Sequence, residues 1–267
     1  KVDDNAGGWT PLMWAANNGH MNSAQKLIDA DADVNGSSKS GFTALITAVL
    51  GGQTALIELL LDNDANIDDV DQDGWSPLMW AAYHGHKIPA QMLINRGANM
   101  NGSTTKSGSG WTALMSAASE GQPALIKLLL EKKAEINHVD QKGYSALMLA
   151  CRRKPVCLAT IQMLIDHENA DAELNFGQSG NDGQSAYTLL HQNFRSDKRS
   201  KSGRSEFVRI TNLVLKTLQT GRVPCTPKRR QSSRQPPATP PTPLNPPSSP
   251  MQRSESRTPK RLRRSTY

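Results

Sequence analysis

Asp69-Val70-Asp71-Gln72-Asp73-Gly74 is the stretch whose residue types come nearest to a metal site. Carboxylates at positions one, three and five before a glycine open the calcium loop of a helix–loop–helix hand. Such a loop needs a bidentate glutamate at position twelve, and Trp80 stands there, so the calcium reading fails. The 6 histidines form no HExxH or other ligand-like pair. Three cysteines, Cys151, Cys157 and Cys225, have neither zinc spacing nor the count of a disulfide framework, which points to a reducing compartment. No glycine-rich phosphate loop, nucleophile elbow or kinase motif occurs. The reading is a chain without catalytic residues, metal or cofactor.

The remaining chemistry is that of recognition, and part of it lies in short motifs near the C-terminal end. Pro259–Arg264, PKRLRR, fits a basic nuclear import signal through Lys260, Arg261, Arg263 and Arg264, with Lys228–Arg230 as a second cluster. Thr226 and Thr258 are each followed by Pro-Lys-Arg, the pattern of cyclin-dependent kinase substrates; Thr239, Thr242 and Ser249 also precede proline. Arg234, Pro237 and Pro240 fit the Arg-x-x-Pro-x-x-Pro ligand of SH3 domains, whose grooves accept a preformed polyproline helix. These patterns imply importin, a proline-directed kinase and SH3-domain proteins as partners. Against each stands a plain alternative, a solvated charge run in a proline-rich tail.

Charge separates that tail from the rest. Residues 1–191 carry 13 Lys/Arg against 21 Asp/Glu, while residues 192–267 carry 18 against 3. From Arg222 onward there are 11 of the 16 prolines, 11 Lys/Arg, one acid and one aromatic, Tyr267. Such a segment cannot bury enough apolar surface to offset its ordering entropy, so residues 222–267 are expected to be disordered. An acidic body with a basic tail implies two jobs. No apolar run reaches the length of a membrane span and no signal peptide is apparent, so the expectation is a cytoplasmic or nuclear protein with no membrane partner. Lys1 falls inside what reads as the end of a repeat, and upstream repeats are expected.

The body, residues 1–221, is periodic. A Gly-aromatic-Ser/Thr opening recurs at Gly8, Gly41, Gly74, Gly110 and Gly143, with a weaker echo at Gly183, at steps of 33, 33, 36, 33 and 40 residues. Self-similarity near 33 residues, with two short helical patterns per copy, marks a stacked repeat array. Thr10, Thr43, Ser76, Thr112, Ser145 and Ser185 stand where a helix N-cap is needed, and Pro11 and Pro77 follow at the first helical position. Gly19, Gly52, Gly85 and Gly121 end the first helix of their copies; Asp31, Asp64, Lys133 and Gly97 close the second. Within the second helix Ala55–Leu61 only Glu58 is polar, so neighbouring copies must cover it on several sides. Copies one and three match each other, as do two and four, which implies duplication of a two-repeat block. The Ser/Gly-rich connecting fingers of the odd copies are expected to be looser than the acidic even ones. Copy five departs, with CRRKPVCLAT in place of the tight glycine turn and HENADAEL lengthening its exit. Copy six, Gly183 to about Gly221, reads as a cap: SAYTLLHQNF and EFVRITNLVLKTLQ would be its helices, around the basic loop RSDKRSKSGR.

The segments TPLMWAA, SPLMWAA, TALMSAA and SALMLAC resemble the T-P-L-H-x-A-A signature of ankyrin repeats, with Met or Ile46 in place of the family's histidine. The resemblance implies an all-α ankyrin solenoid of about six repeats, each a β-turn finger and two antiparallel helices. It places His20 and His86 at the family's structural Gly-His position. It also implies protein binding through the finger tips and the concave face of the first helices. By position, that brings in a row of finger aromatics, Trp9, Phe42, Trp75, Trp111 and Tyr144. To these the ends of the first helices add Asn17 and Asn18, Leu50, Tyr83 and His84, Ser119 and Glu120, and Arg152 and Arg153. Aromatic and Arg side chains are the usual interface anchors; the alternative is that the rings pack against the next finger. Two functions follow: an adaptor that grips a protein partner, or a nuclear protein whose basic tail binds nucleic acid through phosphate contacts. The absence of interleaved aromatics in the tail favours the adaptor.

Overall fold

A computed structural model describes residues 8–104, 109–166 and 180–196, together with Val208 and Asn212. Among these residues eleven helices form, ten of them in five pairs followed by α11, and no strand longer than an isolated bridge. The pairs are α1 Pro11–Asn17 with α2 Met21–Asp29, α3 Ala44–Leu50 with α4 Thr54–Asp62, and α5 Pro77–His84 with α6 Lys87–Asn95. They continue with α7 Ala113–Ser119 and α8 Pro123–Glu131, α9 Ala146–Arg152 and α10 Leu158–Asp166, and end at α11 Ala186–Ser196. First helices pack on first helices and second on second, each on its immediate neighbour.

Local chemistry sets where each helix begins and ends. Thr10, Thr43, Ser76, Thr112 and Ser145 are extended, and each side-chain oxygen accepts the N–H three residues on. Ser185 does the same for Thr188 at 3.3 Å. Left-handed turns separate the two helices of a pair at Gly19, Gly52, Gly85 and Gly121. Beyond the second helices Asp31, Asp64 and Lys133 adopt φ of 57°, 60° and 66°, and Gly97 fills the same role. Seven- to nine-residue helices are too short to persist alone, so the array holds them by burial.

The first helices supply most of that burial. Ala44–Val49, Ala113–Ala118 and Ala146–Cys151 are buried without a break, small residues alternating with Leu, Ile and Met. In α4 only Leu56, Ile57 and Leu60 are buried. Ala55 and Glu58 face solvent and Leu59 and Leu61 are half-buried, so this helix is covered on one side rather than several.

Polar staples register each repeat on the next. In the loops that follow the second helices, Asn35 Oδ1, Asp68 Oδ1 and Asn101 Oδ1 accept the N–H of Asn66, Asn99 and Glu135 at 2.8, 2.9 and 2.9 Å. In the fingers, the N–H groups of Gln72, Gln141 and Asn181 donate to Ser40, Ser109 and Lys142 carbonyls at 3.0, 3.1 and 2.7 Å. The first Ser/Gly-rich finger is itself closed by Ser38 N–H to the Phe42 carbonyl at 2.9 Å and by a bridge between Ser37 and Thr43.

Repeat five lacks the glycine turn, as its sequence implies. Arg153 follows α9 in an extended conformation, and Asn193 Nδ2 of α11 donates to the Cys151 carbonyl at 2.6 Å. Of the expected second helix of the cap only Val208 and Asn212, both helical and exposed, are described; the exit HENADAEL and all of residues 222–267 lie outside the described residues. So do Thr226, Arg234, Pro237, Pro240, Thr258, Lys260, Arg261, Arg263 and Arg264. Among the described residues no helix is long and apolar enough to cross a membrane, and no three His, Cys, Asp or Glu cluster in a way that could hold a metal.

Candidate partner-binding face

A finger leads into each first helix, and the aromatic residue at its base sits two places before the helix. The structure corrects the expectation of an open aromatic row at these positions. Trp9, Phe42, Trp75, Trp111 and Tyr144 are only 9%, 7%, 2%, 6% and 1% exposed. The rings face the next repeat: Trp9 meets Phe42, Phe42 meets Trp80 and Trp75 meets Trp111, while Trp111 and Tyr144 bond to Asp140 and Asp182. Trp75 stands 6.1 Å from Trp111 and 4.9 Å from Trp80, ring centre to ring centre. Trp80 is buried with them, and Trp14, 4.9 Å from Trp9, is half-buried.

What ties a finger to its aromatic residue is a polar side chain four residues before it, or seven in repeat four. Asp71 Oδ1 accepts the N–H of Asp73 at 3.0 Å and of Trp75 at 2.9 Å, while Oδ2 accepts the Trp80 indole at 2.9 Å. Asp140 takes the N–H groups of Lys142 and Tyr144 at 2.9 and 2.8 Å and a side-chain bond from Trp111. Ser38 and Thr104 do this work with hydroxyls, accepting from Phe42 and Trp111 at 3.0 and 2.8 Å. Burial pushes both Asp71 and Asp140 above the usual carboxylate range, and the N–H donors only partly offset it. The acidic finger that resembles half a calcium loop thus spends one of its carboxylates on its own turn. The Tyr144 hydroxyl donates to Asp182 in the following finger, which together with burial pushes the phenol up.

The residues eight and nine places beyond each aromatic, at the end of the first helix, are the ones left accessible. Tyr83 is half-buried, its ring edge-on to Trp75 at 5.5 Å, and its hydroxyl bonds to Glu120 of the next repeat. His84 is exposed and stacks between Trp80 at 5.8 Å and His86 at 5.7 Å. Partial burial and the nearby His86 push His84 below the usual histidine range. His86 itself reaches back to the Leu50 carbonyl at 3.3 Å, fastening α6 to the preceding repeat. In repeat five the same two positions hold Arg152 and Arg153, both partly exposed; the Arg152 guanidinium lies 5.7 Å from the centre of the Tyr144 ring. The structure therefore brings Tyr83, His84 and Glu120 together, and sets Arg152 and Arg153 one repeat further on. Cys151 beneath them is fully buried, its thiol pushed up to about 12, which makes it a packing residue and not a nucleophile.

Sequence reasoning passed over the carboxylate of Asp71 as a structural group and the Asn35, Asp68 and Asn101 staples altogether. The signal for the staples was present: an Asx residue every 33 positions.

A family model described as ankyrin repeats (3 copies) matches the chain over residues 1–71, 56–140, 91–176 and 119–197. No curated protein matches it.

Proposed function

The chain belongs to the ankyrin-repeat family, whose repeats are general protein–protein interaction modules, and from that premise we propose that it is a non-catalytic adaptor. Its array grips a protein partner along the ends of the first helices, centred on Tyr83 and His84. The observation that carries this reading is a contrast in burial. The five finger-base rings are core, whereas the aromatic pair eight and nine residues beyond Trp75 stays accessible on top of them. A semi-exposed tyrosine resting on a buried tryptophan is a rigid anchor with little side-chain entropy left to lose on binding. Capture of partners from cell extract by the full chain and by a Tyr83→Ala/His84→Ala variant tests it. Loss of specific partners at an unchanged melting temperature supports this face, and an identical set of partners refutes it.

The tail completes the proposal. Lys260, Arg261, Arg263 and Arg264 direct nuclear import, and proline-directed phosphorylation at Thr258, with Thr226 as a second site, weakens it. One phosphate carries about −1.5 to −2 charges. Between Arg257 and Arg264 there are five basic side chains and no acid, so it offsets about two of the five. It also offers the arginines a bidentate partner in place of an importer's acidic groove. Arg234, Pro237 and Pro240 recruit an SH3 domain. Nucleic-acid binding by the same tail is the competing reading, favoured by its excess of Lys and Arg. Duplex DNA at low salt separates the two: binding that falls steeply with salt supports the second.

A further inference from the structure

Asparagine is followed by glycine at Asn18-Gly19, Asn35-Gly36 and Asn101-Gly102. Asparagine is thermolabile because the main-chain nitrogen of the next residue can attack its side-chain carbonyl carbon. Glycine, having no Cβ, obstructs that approach least. Two of the three pairs belong to staples: Asn35 and Asn101 each hold an N–H of the following repeat on Oδ1.

The pairs differ in how they are restrained. The Asn18 amide nitrogen donates to the Trp14 carbonyl at 2.8 Å, at the exit of α1. The Asn35 amide donates to the Asp64 carbonyl at 3.0 Å and Gly36 N–H to the Asp33 carbonyl at 3.4 Å, so the leaving nitrogen and the attacking nitrogen are both tied. At Asn101, which is exposed, Oδ1 accepts the Glu135 N–H at 2.9 Å. Neither the Asn101 amide nitrogen nor Gly102 N–H has a hydrogen-bond partner among the described residues. A donor thus already rests on the oxygen that gathers negative charge under attack, while both nitrogens are unrestrained.

Nor does the fold demand glycine at this place. Among the described glycines Gly102 alone has a φ outside the left-handed region and room for a side chain: an added Cβ would meet nothing closer than Asn99 Nδ2 at 3.5 Å. At Gly36, its counterpart in repeat one, the Cβ would come within 3.3 Å of Asp33 Oδ2.

We propose that Asn101-Gly102 is a self-modifying site that releases the staple between repeats three and four as the protein ages. The Gly102 nitrogen bonds to Asn101 Cγ and gives up its proton. The Cγ–Nδ2 bond breaks, and that nitrogen leaves with the proton as ammonia, closing a five-membered succinimide. Water then opens the ring at either carbonyl, giving aspartate or isoaspartate. Aspartate preserves the staple, as Asp68 does between repeats two and three. Isoaspartate adds a methylene to the main chain and takes one from the side chain, which withdraws the acceptor from Glu135 N–H. The joint so loosened is the one that the Tyr83 hydroxyl and Glu120 bridge.

Ageing the full chain in warm, mildly alkaline buffer tests this. Peptides are read by mass spectrometry, with electron-transfer fragmentation to tell isoaspartate from aspartate. Each hydrogen bond that must open first slows the attack by about two- to tenfold, so Asn101 is expected to convert about fivefold or more ahead of Asn35, with Asn18 also behind it. In denaturing urea the three rates converge. Gly102→Ala leaves Asn101 unmodified and its urea midpoint constant with age, whereas the midpoint of wild type falls as isoaspartate accumulates. Conversion of Asn18 or Asn35 ahead of Asn101 overturns the proposal, as does the same ranking in urea as in the folded chain. Aspartate formed without isoaspartate, or a midpoint undiminished once isoaspartate is present, overturns it too.

Discussion

The Trp80 indole donates to the Asp71 carboxylate across 2.9 Å, a bond that ties the first helix of the third repeat to the finger leading into it. The other carboxylate oxygen closes the finger itself, so one buried side chain fixes the turn, the ring at its base and the helix behind. Asp71→Ala leaves three N–H donors without their acceptor, two of which, Trp75 N–H and the Trp80 indole, are buried. The expected loss is about 3 kcal/mol, read as a lower urea midpoint, with Asp71→Asn losing less because one acceptor oxygen remains.

Protonation adds a sign. Asp71 has a raised pKa in the folded chain, so folding takes up its proton at a higher pH than the unfolded chain does. Ionised Asp71 therefore costs stability above its folded pKa, and that cost is relieved as pH falls towards the ordinary value of about 3.9. His84 works in the opposite sense. Its folded pKa is depressed, so its contribution is intact above about pH 6.5 and is lost as pH falls through that value. Wild type should thus lose stability relative to His84→Gln between about pH 7.5 and about pH 5.5. A constant difference in urea midpoint over that range would refute the assignment.

Ser76 accepts the Met79 N–H at 3.3 Å. Ser76→Ala is expected to cost about 1 kcal/mol, and an unchanged urea midpoint would mean that the cap contributes nothing.

Trp75→Ala and Trp111→Ala should each remove about 3–5 kcal/mol, because each vacates a volume enclosed by two repeats. Tyr83→Ala, from a half-buried site, should cost well under half as much and leave the melting temperature near wild type. Parallel urea titrations of the three variants decide this.

Two glycines with similar dihedrals separate crowding from backbone strain. Gly97 has φ 92° with nothing within 4 Å of an added Cβ, whereas at Gly41, φ 78°, the Cβ would meet Gln72 N at 2.7 Å and Asp71 C at 2.8 Å. Gly97→Ala should cost about 1–2 kcal/mol, the left-handed penalty alone. Gly41→Ala must also push apart two fingers and should cost clearly more. Equal losses would mean that the finger contact is soft.

The fold was legible because its determinants are local and repeated. Thr10, Ser76 and Gly85 each announce a helix boundary by their own chemistry, and the 33-residue period multiplies the signal. The accessible face was harder to read, since Trp75 and Tyr83 are both aromatic and eight residues apart. Which of them is floor and which is surface depends on the next repeat setting Trp111 against Trp75, a tertiary event that periodicity does not encode. The same holds for Asp71, an acid among acids in its finger, whose burial follows from the reach of the Trp80 indole.

The buried rings also give the array an optical property. Trp14, Trp9, Phe42, Trp80, Trp75 and Trp111 run in sequence with centre-to-centre steps of 4.9, 6.4, 6.1, 4.9 and 6.1 Å, and this line contains all 5 tryptophans of the chain. Phe42 does not relay indole excitation, because its excited state lies above theirs, so transfer runs within Trp14–Trp9 and within Trp80–Trp75–Trp111. Ultraviolet light absorbed by Trp111 in repeat four therefore leaves in part from Trp75 or Trp80 in repeat three, and that emission is depolarised even in a rigid molecule. Parting repeat four from repeat three interrupts the transfer between Trp111 and Trp75 and restores polarisation. The intrinsic fluorescence anisotropy of the protein is in this way a gauge of the joint between repeats three and four, built from the same residues that hold it together.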